Sequence, residues 1–232
     1  MIDSRDQAAQ LKADGVCVLN LEAGGGDLSI LRDLFESDLE RDRWLPAGHD
    51  YRSRAYQCFF VDRKRSRLEF VTEPPPYVQA ADINPVAGGL KRTFRTLPDT
   101  HPVTEIARRL ANSFIALLLS GGIVSRAGES LMLDVHYIRI SAPGKPCPEG
   151  VHRDGLIAGS VHLVGLQNVR GGQTHFTDDA GRSCRSLRLD RFLDSVVFDD
   201  RRLLHYTDDI SRIDPNTDGH RDVLLLGLRK RS

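Results

Sequence analysis

The chain lacks most of the features that would put it in a specialised class. Its four cysteines, Cys17, Cys58, Cys147 and Cys184, are scattered and form no C-x-x-C pair. That excludes zinc-ribbon spacing, and four free thiols in a reducing cytoplasm are the expectation. No apolar run is long. The most apolar stretch, Phe114 to Leu119, is far too short to cross a bilayer, so no membrane association is expected. Met1 to Gln10 is polar and has no signal-peptide core. Neither sign of charge is in excess, since 32 Lys and Arg face 32 Asp and Glu. Without a global basic field the chain is not expected to bind nucleic acid, and its partner should be a small molecule. Internal repeats and low-complexity tracts are absent, which excludes solenoids and disordered linkers.

What is present is ordinary globular composition, 40% apolar and 28% charged over 232 residues. That length suffices for a core, and one domain over residues 1–232 is expected. Residues 1–128 read as a helical and edge-strand part. Ser4 to Ala13 reads as an amphipathic helix and Val16 to Leu19 as a strand. Ala23 to Gly26 reads as a loop, and Asp27 caps a helix with the stripe Leu28, Leu31, Leu34, Phe35 and Leu39. Residues 54–71 read as two strands around a charged tip from Asp62 to Arg67. Thr104 to Leu119 has the strongest helical period. Residues 129–232 change character, to short strands punctuated by Gly, Pro and Asp. The strands expected are Leu131 to Ile140, Val151 to Asp154, Ser160 to Val169, Gln173 to Thr177, Ser186 to Leu189, Ser195 to Phe198, Leu203 to Thr207 and Val223 to Leu228. The fold class is therefore mainly β with flanking helices, around a jelly roll or related barrel.

The chemistry is concentrated in Val151-His152-Arg153-Asp154-Gly155. Residues two apart in a strand share a face, so His152 and Asp154 would project together and Arg153 away. One imidazole and one carboxylate make two corners of a metal site. His205, after the polar turn Asp199-Asp200-Arg201, is the candidate for the third. Two histidines and a carboxylate form the facial triad of non-haem Fe(II) oxygenases, which leaves coordination positions open for a keto acid and O₂. A further segment, Gly219-His220-Arg221-Asp222, precedes an apolar strand. A planar guanidinium there suits the far carboxylate of a dicarboxylic keto acid.

The resemblance to a known family rests on segments in fixed order. They are Asp134 to Arg139, Pro148 to Gly155, Gly171-Gly172-Gln173, Asp199 to Tyr206 and Gly219 to Leu224, with a fainter likeness in Tyr77-Val78-Gln79 and Gly88 to Phe94. Together they resemble the bacterial 2-oxoglutarate/Fe(II) dioxygenases that include isoleucine dioxygenase and other free L-amino-acid hydroxylases. The resemblance implies a double-stranded β-helix. It implies Fe(II) on His152, Asp154 and His205, with Arg221 anchoring 2-oxoglutarate. It also implies O₂-dependent hydroxylation of a free, aliphatic or cyclic amino acid, releasing succinate and CO₂. Relatives often continue past the distal histidine toward Thr-Pro-Ile, whereas this chain reads Tyr206-Thr207-Asp208-Asp209-Ile210. Another small metabolite or a peptide as substrate, desaturation, and a non-catalytic jelly-roll binding module holding zinc are the alternatives. A homodimer is left open.

The remaining candidates for substrate contact are His136, Arg139, Tyr77, Gln79 and His175. His136 and Arg139 lie on opposite strand faces, so at most one meets the pocket. Arg139 reads either as a clamp on a substrate carboxylate or as a structural ion pair. Tyr77 and Gln79 line an entrance or pack at a strand edge, and His175 fits pocket or packing equally. His162, in an apolar strand, reads as a satisfied core histidine. The run Arg229-Lys230-Arg231 reads as a solvated face.

Overall fold

A computed structural model describes residues 4–20, 29–64, 67–128 and 130–231. The first part supplies α1 (Ser4–Asp14), β1 (Val16–Asn20), α2 (Ser29–Ser37), β2 (Glu40–Arg41), β3 (Arg52–Asp62), β4 (Arg67–Phe70) and α3 (Val103–Ser120). The rest is strand: β5 (Leu131–Ser141), β6 (Ala158–Gln167), β7 (Val169–Gly171), β8 (Thr174–Thr177), β9 (Ser183–Leu187), β10 (Asp194–Phe198), β11 (Leu204–Thr207), β12 (Ile210–Arg212) and β13 (His220–Lys230). The loop at 23–26, the Asp27 cap and Leu28 lie outside the described residues.

The main sheet runs β1-β10-β6-β13-β5-β3-β2, with β4 also beside β3, and its pairings are antiparallel. Two smaller ladders, β11-β8-β9 and β12-β7, face it. The period of two decides which layer each residue joins. On β5, Leu133, Val135 and Tyr137 enter the core under the helices, with Phe114 and Leu118 of α3 and Leu31 and Leu34 of α2. Ile138 and Ile140, one residue out of step, pack instead with Phe176, Val169 and Ile210 of the smaller ladders. The main sheet is thus covered by helices on one side and by strands on the other. This is a jelly-roll core, and its cavity opens between the sheets.

Several boundaries differ from the sequence reading, and β13 begins three residues earlier than expected, at His220. Val151 to Asp154 is not a strand; only His152 pairs, through an isolated bridge to His205. Its neighbours turn away because Gly150 and Gly155 adopt φ of +79° and +77°, which costs glycine little and other residues much. The strand expected over Ser160 to Val169 divides into β6 and β7 at Asn168, whose φ of 48° Asn tolerates better than most. The strand expected at Ser186 to Leu189 lies at Ser183–Leu187. Arg229 is not on a solvated face either, since its Nε donates to buried Asp134 at 2.6 Å.

His162 is fully buried, with its ring nitrogens 2.8 Å from the hydroxyls of Ser160 and Ser195. Burial pushes its pKa from 6.5 down to about 3. Between those values the unfolded chain binds a proton that the folded chain refuses. The neutral ring's contribution to stability is therefore complete above about pH 6.5 and is lost as pH falls toward 3, by at most about 1.4 kcal/mol per unit. His162→Gln, which can still bond both serines, should flatten the pH dependence of the urea midpoint between pH 6 and 4 relative to wild type.

Candidate metal centre

The site is assembled by two backbone hydrogen bonds. His152 N donates to His205 O at 3.0 Å, and His205 N donates to His152 O at 2.8 Å. His205 lies on β11, whose pairing with β8 fixes its side chain toward Phe176 and the cavity. The bridge puts the two rings side by side, with centroids 4.4 Å apart. Asp154 comes round to the same point because Asp200 captures the turn that follows it. Asp200 Oδ1 accepts Asp154 N at 3.0 Å and Oδ2 accepts Leu156 N at 2.7 Å. The adjacency of His152 and Asp154 predicted from a strand is thus real, but a side-chain-pinned turn produces it.

The carboxylate of Asp154 lies between the imidazoles, 3.6 Å from His152 Nε2 and 3.5 Å from His205 Nε2. The three groups can offer ligand atoms that all lie within 4.8 Å of one another. Neighbouring ligand atoms around a metal at roughly 2.1 Å stand roughly 3 Å apart, so this set fits a metal with small adjustments. The tautomer of His152 fits as well. Its Nδ1 lies 2.8 Å from Gly150 O, a pure acceptor, so Nδ1 carries a proton and Nε2 is the nitrogen left to face inward as a ligand. Burial would lower the His152 pKa, but the hydrogen bond and charge of Asp154 outweigh it and raise it to about 9. Burial prevails at His205 and pushes it down to about 4. Burial, then the Asp154 charge, push Asp200 up to about 6.

The same cavity, of about 150 Å³, is walled by Val161, Phe198, Val223 and Leu225 among others. Phe198 packs against His205 with ring centroids 5.0 Å apart. Gly159 makes room for it, since a Cβ there would stand 2.5 Å from the Phe198 ring. Arg221, on β13, is 5% exposed and also lines the cavity. Among the described residues it donates no hydrogen bond and meets no carboxylate. Burial pushes its pKa down to about 10. A buried guanidinium without a counter-ion, beside two imidazoles and a carboxylate, suits a chelating ligand with a second negative end.

The comparisons with known proteins agree with this donor set. The 2OG-Fe dioxygenase family model matches residues 34–227. The chain belongs to the 2OG-Fe dioxygenase family. Membership implies Fe(II), 2-oxoglutarate and O₂, and the His-Asp-His set and the unpaired Arg221 fit them. Among solved structures, a bsmA homolog from Methylobium petroleophilum PM1 is 26% identical. The match covers 99% of this chain and 94% of that one, with a TM-score of 0.77. IDO from Bacillus thuringiensis, 16% identical, matches over 100% and 97% of the two chains with a TM-score of 0.80. The Fe(II)/(alpha)ketoglutarate-dependent dioxygenase TqaL is 14% identical, with 98% and 87% covered and a TM-score of 0.72. The last two show a shared fold. No curated protein matches the chain by sequence.

The other candidate residues separate. His136, Tyr77 and Gln79 line the cavity. Tyr77 stands edge-on to His136, with ring centroids 5.1 Å apart. Gln79 Nε2 donates to Asp154 O at 3.0 Å, so this side chain also steadies the carboxylate turn. Arg139 is not in the cavity. Its parity puts it on the other face, where it donates to Asp222 at 2.8 Å and to Glu36 at 2.6 Å. His175 is also outside, between Ser186 and Asp208, because β8 alternates and Phe176 takes the inward place. The sequence reading passed over Asp200, Thr207 and Arg54. Asp200 had a weak signal, a second acid in a turn that needs only one. Thr207 lies two residues after His205 and so on the same face of β11, where it lines the cavity. Arg54 belongs to Arg52-Ser53-Arg54, a period-two pair of cations on a buried strand.

Outer groups that orient metal ligands typically matter by about 10- to 100-fold in affinity. Asp200→Ala should weaken Co(II) binding by about that factor, measured calorimetrically, with the far-UV circular dichroism unchanged. Asp200→Asn keeps one acceptor oxygen and should lose less.

Proposed function

We propose that this dioxygenase hydroxylates an unactivated C–H bond of a free L-amino acid, aliphatic or cyclic. Iron is held by His152, Asp154 and His205, and the far carboxylate of 2-oxoglutarate by Arg221. The observation that carries the reading is the convergence of those three ligands in one cavity with an unpaired, buried guanidinium. When bound, the iron and keto acid together with O₂ supply the oxidising power, and succinate and CO₂ leave. The protein's part is position and exclusion. Asp200 and Gln79 hold the Asp154 turn, Gly150 O fixes the His152 tautomer, and Arg221 sets the keto acid's direction. Val161, Val223 and Leu225 keep the reacting side of the cavity apolar.

The size of the cavity supports a small substrate, and its lining combines cations with the carboxylate of Glu149, as a zwitterion requires. The free cysteines, two of them buried, support a reducing cytoplasm as the compartment. Among the described residues no helix is long and apolar enough to cross a membrane.

Anaerobic addition of Fe(II) and 2-oxoglutarate should give a weak absorption band at roughly 500 nm, the charge transfer of keto-acid chelation at a facial triad. His152→Ala should abolish it. Arg221→Met should raise the 2-oxoglutarate concentration needed by at least about tenfold, since truncating one partner of a buried charge pair costs roughly 2–5 kcal/mol. A panel of free L-amino acids should then stimulate succinate release, with products that gain one oxygen atom. Loss of two hydrogens instead would mean desaturation. A band without stimulation by any amino acid would sink the substrate reading alone; no band in a folded protein would sink the iron reading.

A further inference from the structure

A second guanidinium with unmet hydrogen-bond donors faces the same cavity. Arg54, on β3, is 7% exposed and lines the cavity. Its Nε lies 3.0 Å from Asp42 Oδ2 but at an angle that makes no hydrogen bond, and its other nitrogens donate to nothing among the described residues. Asp42 is instead engaged by Arg52, whose Nε donates to the same oxygen at 2.8 Å, and by the backbone N of Trp44. Arg92 enters from the other side, its guanidinium 5.0 Å from the Tyr77 ring and donating to Gln79. Three arginines therefore crowd this corner. Asp42 is their close carboxylate, with Glu149 at the rim, while Asp134 is occupied by Arg229 and Tyr56. Burial, then the charge of Arg52, pull the Arg54 pKa down to about 9, against the opposing charge of Asp42. His136 beside it is buried with Nδ1 unpartnered, and burial with the charges of Arg54 and Arg92 holds it neutral.

This corner is separate from Arg221. The register places Arg221 opposite Ile140 on β5 and Ile140 opposite Arg52 on β3, with Arg54 two residues further along β3, opposite Ile138. Two strand spacings, about 10 Å, lie between the two cationic positions. One small dicarboxylate directed at the metal by Arg221 does not also fill the β3 corner.

We infer that Arg54, supported by Arg92, is the seat of the substrate's carboxylate, and that the substrate is a small carboxylic acid held by that end with its hydrocarbon end toward the His152–Asp154–His205 centre. This rests on the dioxygenase reading above and narrows it. The substrate carries a free carboxylate, and neutral amides and internal peptide residues are poor ligands. Arg54 binds through charge and a planar fork, and the ring of Phe94, 4.5 Å from its guanidinium carbon, holds the fork in place.

The test uses the full chain loaded anaerobically with Fe(II) and 2-oxoglutarate. Three matched series are titrated: aliphatic and cyclic L-amino acids, their carboxamides, and the corresponding 2-hydroxy acids. Perturbation of the absorption band reports binding, and succinate release in air reports coupling. Wild type should bind an acid at least tenfold more tightly than its carboxamide. Arg54→Met should remove that preference and raise the acid's KM at least tenfold, with the 2-oxoglutarate requirement unchanged. Arg54→Lys, which keeps the charge, should recover part of the loss. The acid-to-amide comparison is made on wild type and does not depend on any variant folding. Equal binding of acid and amide, wild-type acid binding by a folded Arg54→Met, or no carboxylate bound by any series would each overturn the inference. Hydroxy acids bound through Arg54 with amino acids ignored would uphold it and reject the amino-acid reading.

Discussion

Two backbone hydrogen bonds between His152 and His205 are the constraint on which the site depends. They join a turn to a strand more than fifty residues later and set two imidazoles at van der Waals distance. Everything else at the centre adjusts to that bridge. Gly150 and Gly155 let the chain enter and leave it, and Gly150 O orients one ring. Asp200 folds Asp154 back between both. Without a metal, the cluster holds one carboxylate against two rings of opposite tendency, one raised toward the proton and one depressed by burial. A cation in that place satisfies all three groups at once, which is why such a cluster is tolerated in a buried position.

Much of this was legible in the chain because ligand type and order survive without exact secondary structure. His152, Asp154 and His205 were found by assuming a strand over Val151 to Asp154 that does not exist. The inference held because a strand and a pinned turn can both direct residues two apart to one point. Period-two alternation did better where strands are long. It separated His136 from Arg139 on β5, and the structure puts the first in the cavity and the second in an ion pair. It could not separate His175 from its neighbours, since a four-residue strand has too few turns of the pattern to fix its phase. Asp200 and Arg54 were missed for a common reason. Their roles depend on what lies opposite them in space, and neither the residue nor its neighbours in sequence carry that information.

The cavity unites two kinds of cost. Part of its wall is apolar, with Val161, Phe198, Val223 and Leu225, and burial there removes solvent that would have stabilised Arg54 and Arg221. Each of these guanidinia is buried without a hydrogen-bonded counter-ion, in a chain where Arg52, Arg139 and Arg229 all have one. Stability alone would favour apolar residues there, or further acids, because buried donors without hydrogen-bond partners are costly.

Their presence in the cavity wall is consistent with ligands that complete them. The two positions are not redundant. Arg221 sits on the strand next to β6, two strands from Arg54, and each is flanked by different groups: Thr207 and Cys147 for one, His136, Tyr77 and Phe94 for the other. Their backbone positions stand two strands apart in the sheet, which leaves each guanidinium its own part of the cavity wall. If both proposed carboxylates bind, the surroundings of each guanidinium must tell them apart, because the two are buried to nearly the same depth, 7% and 5% exposed.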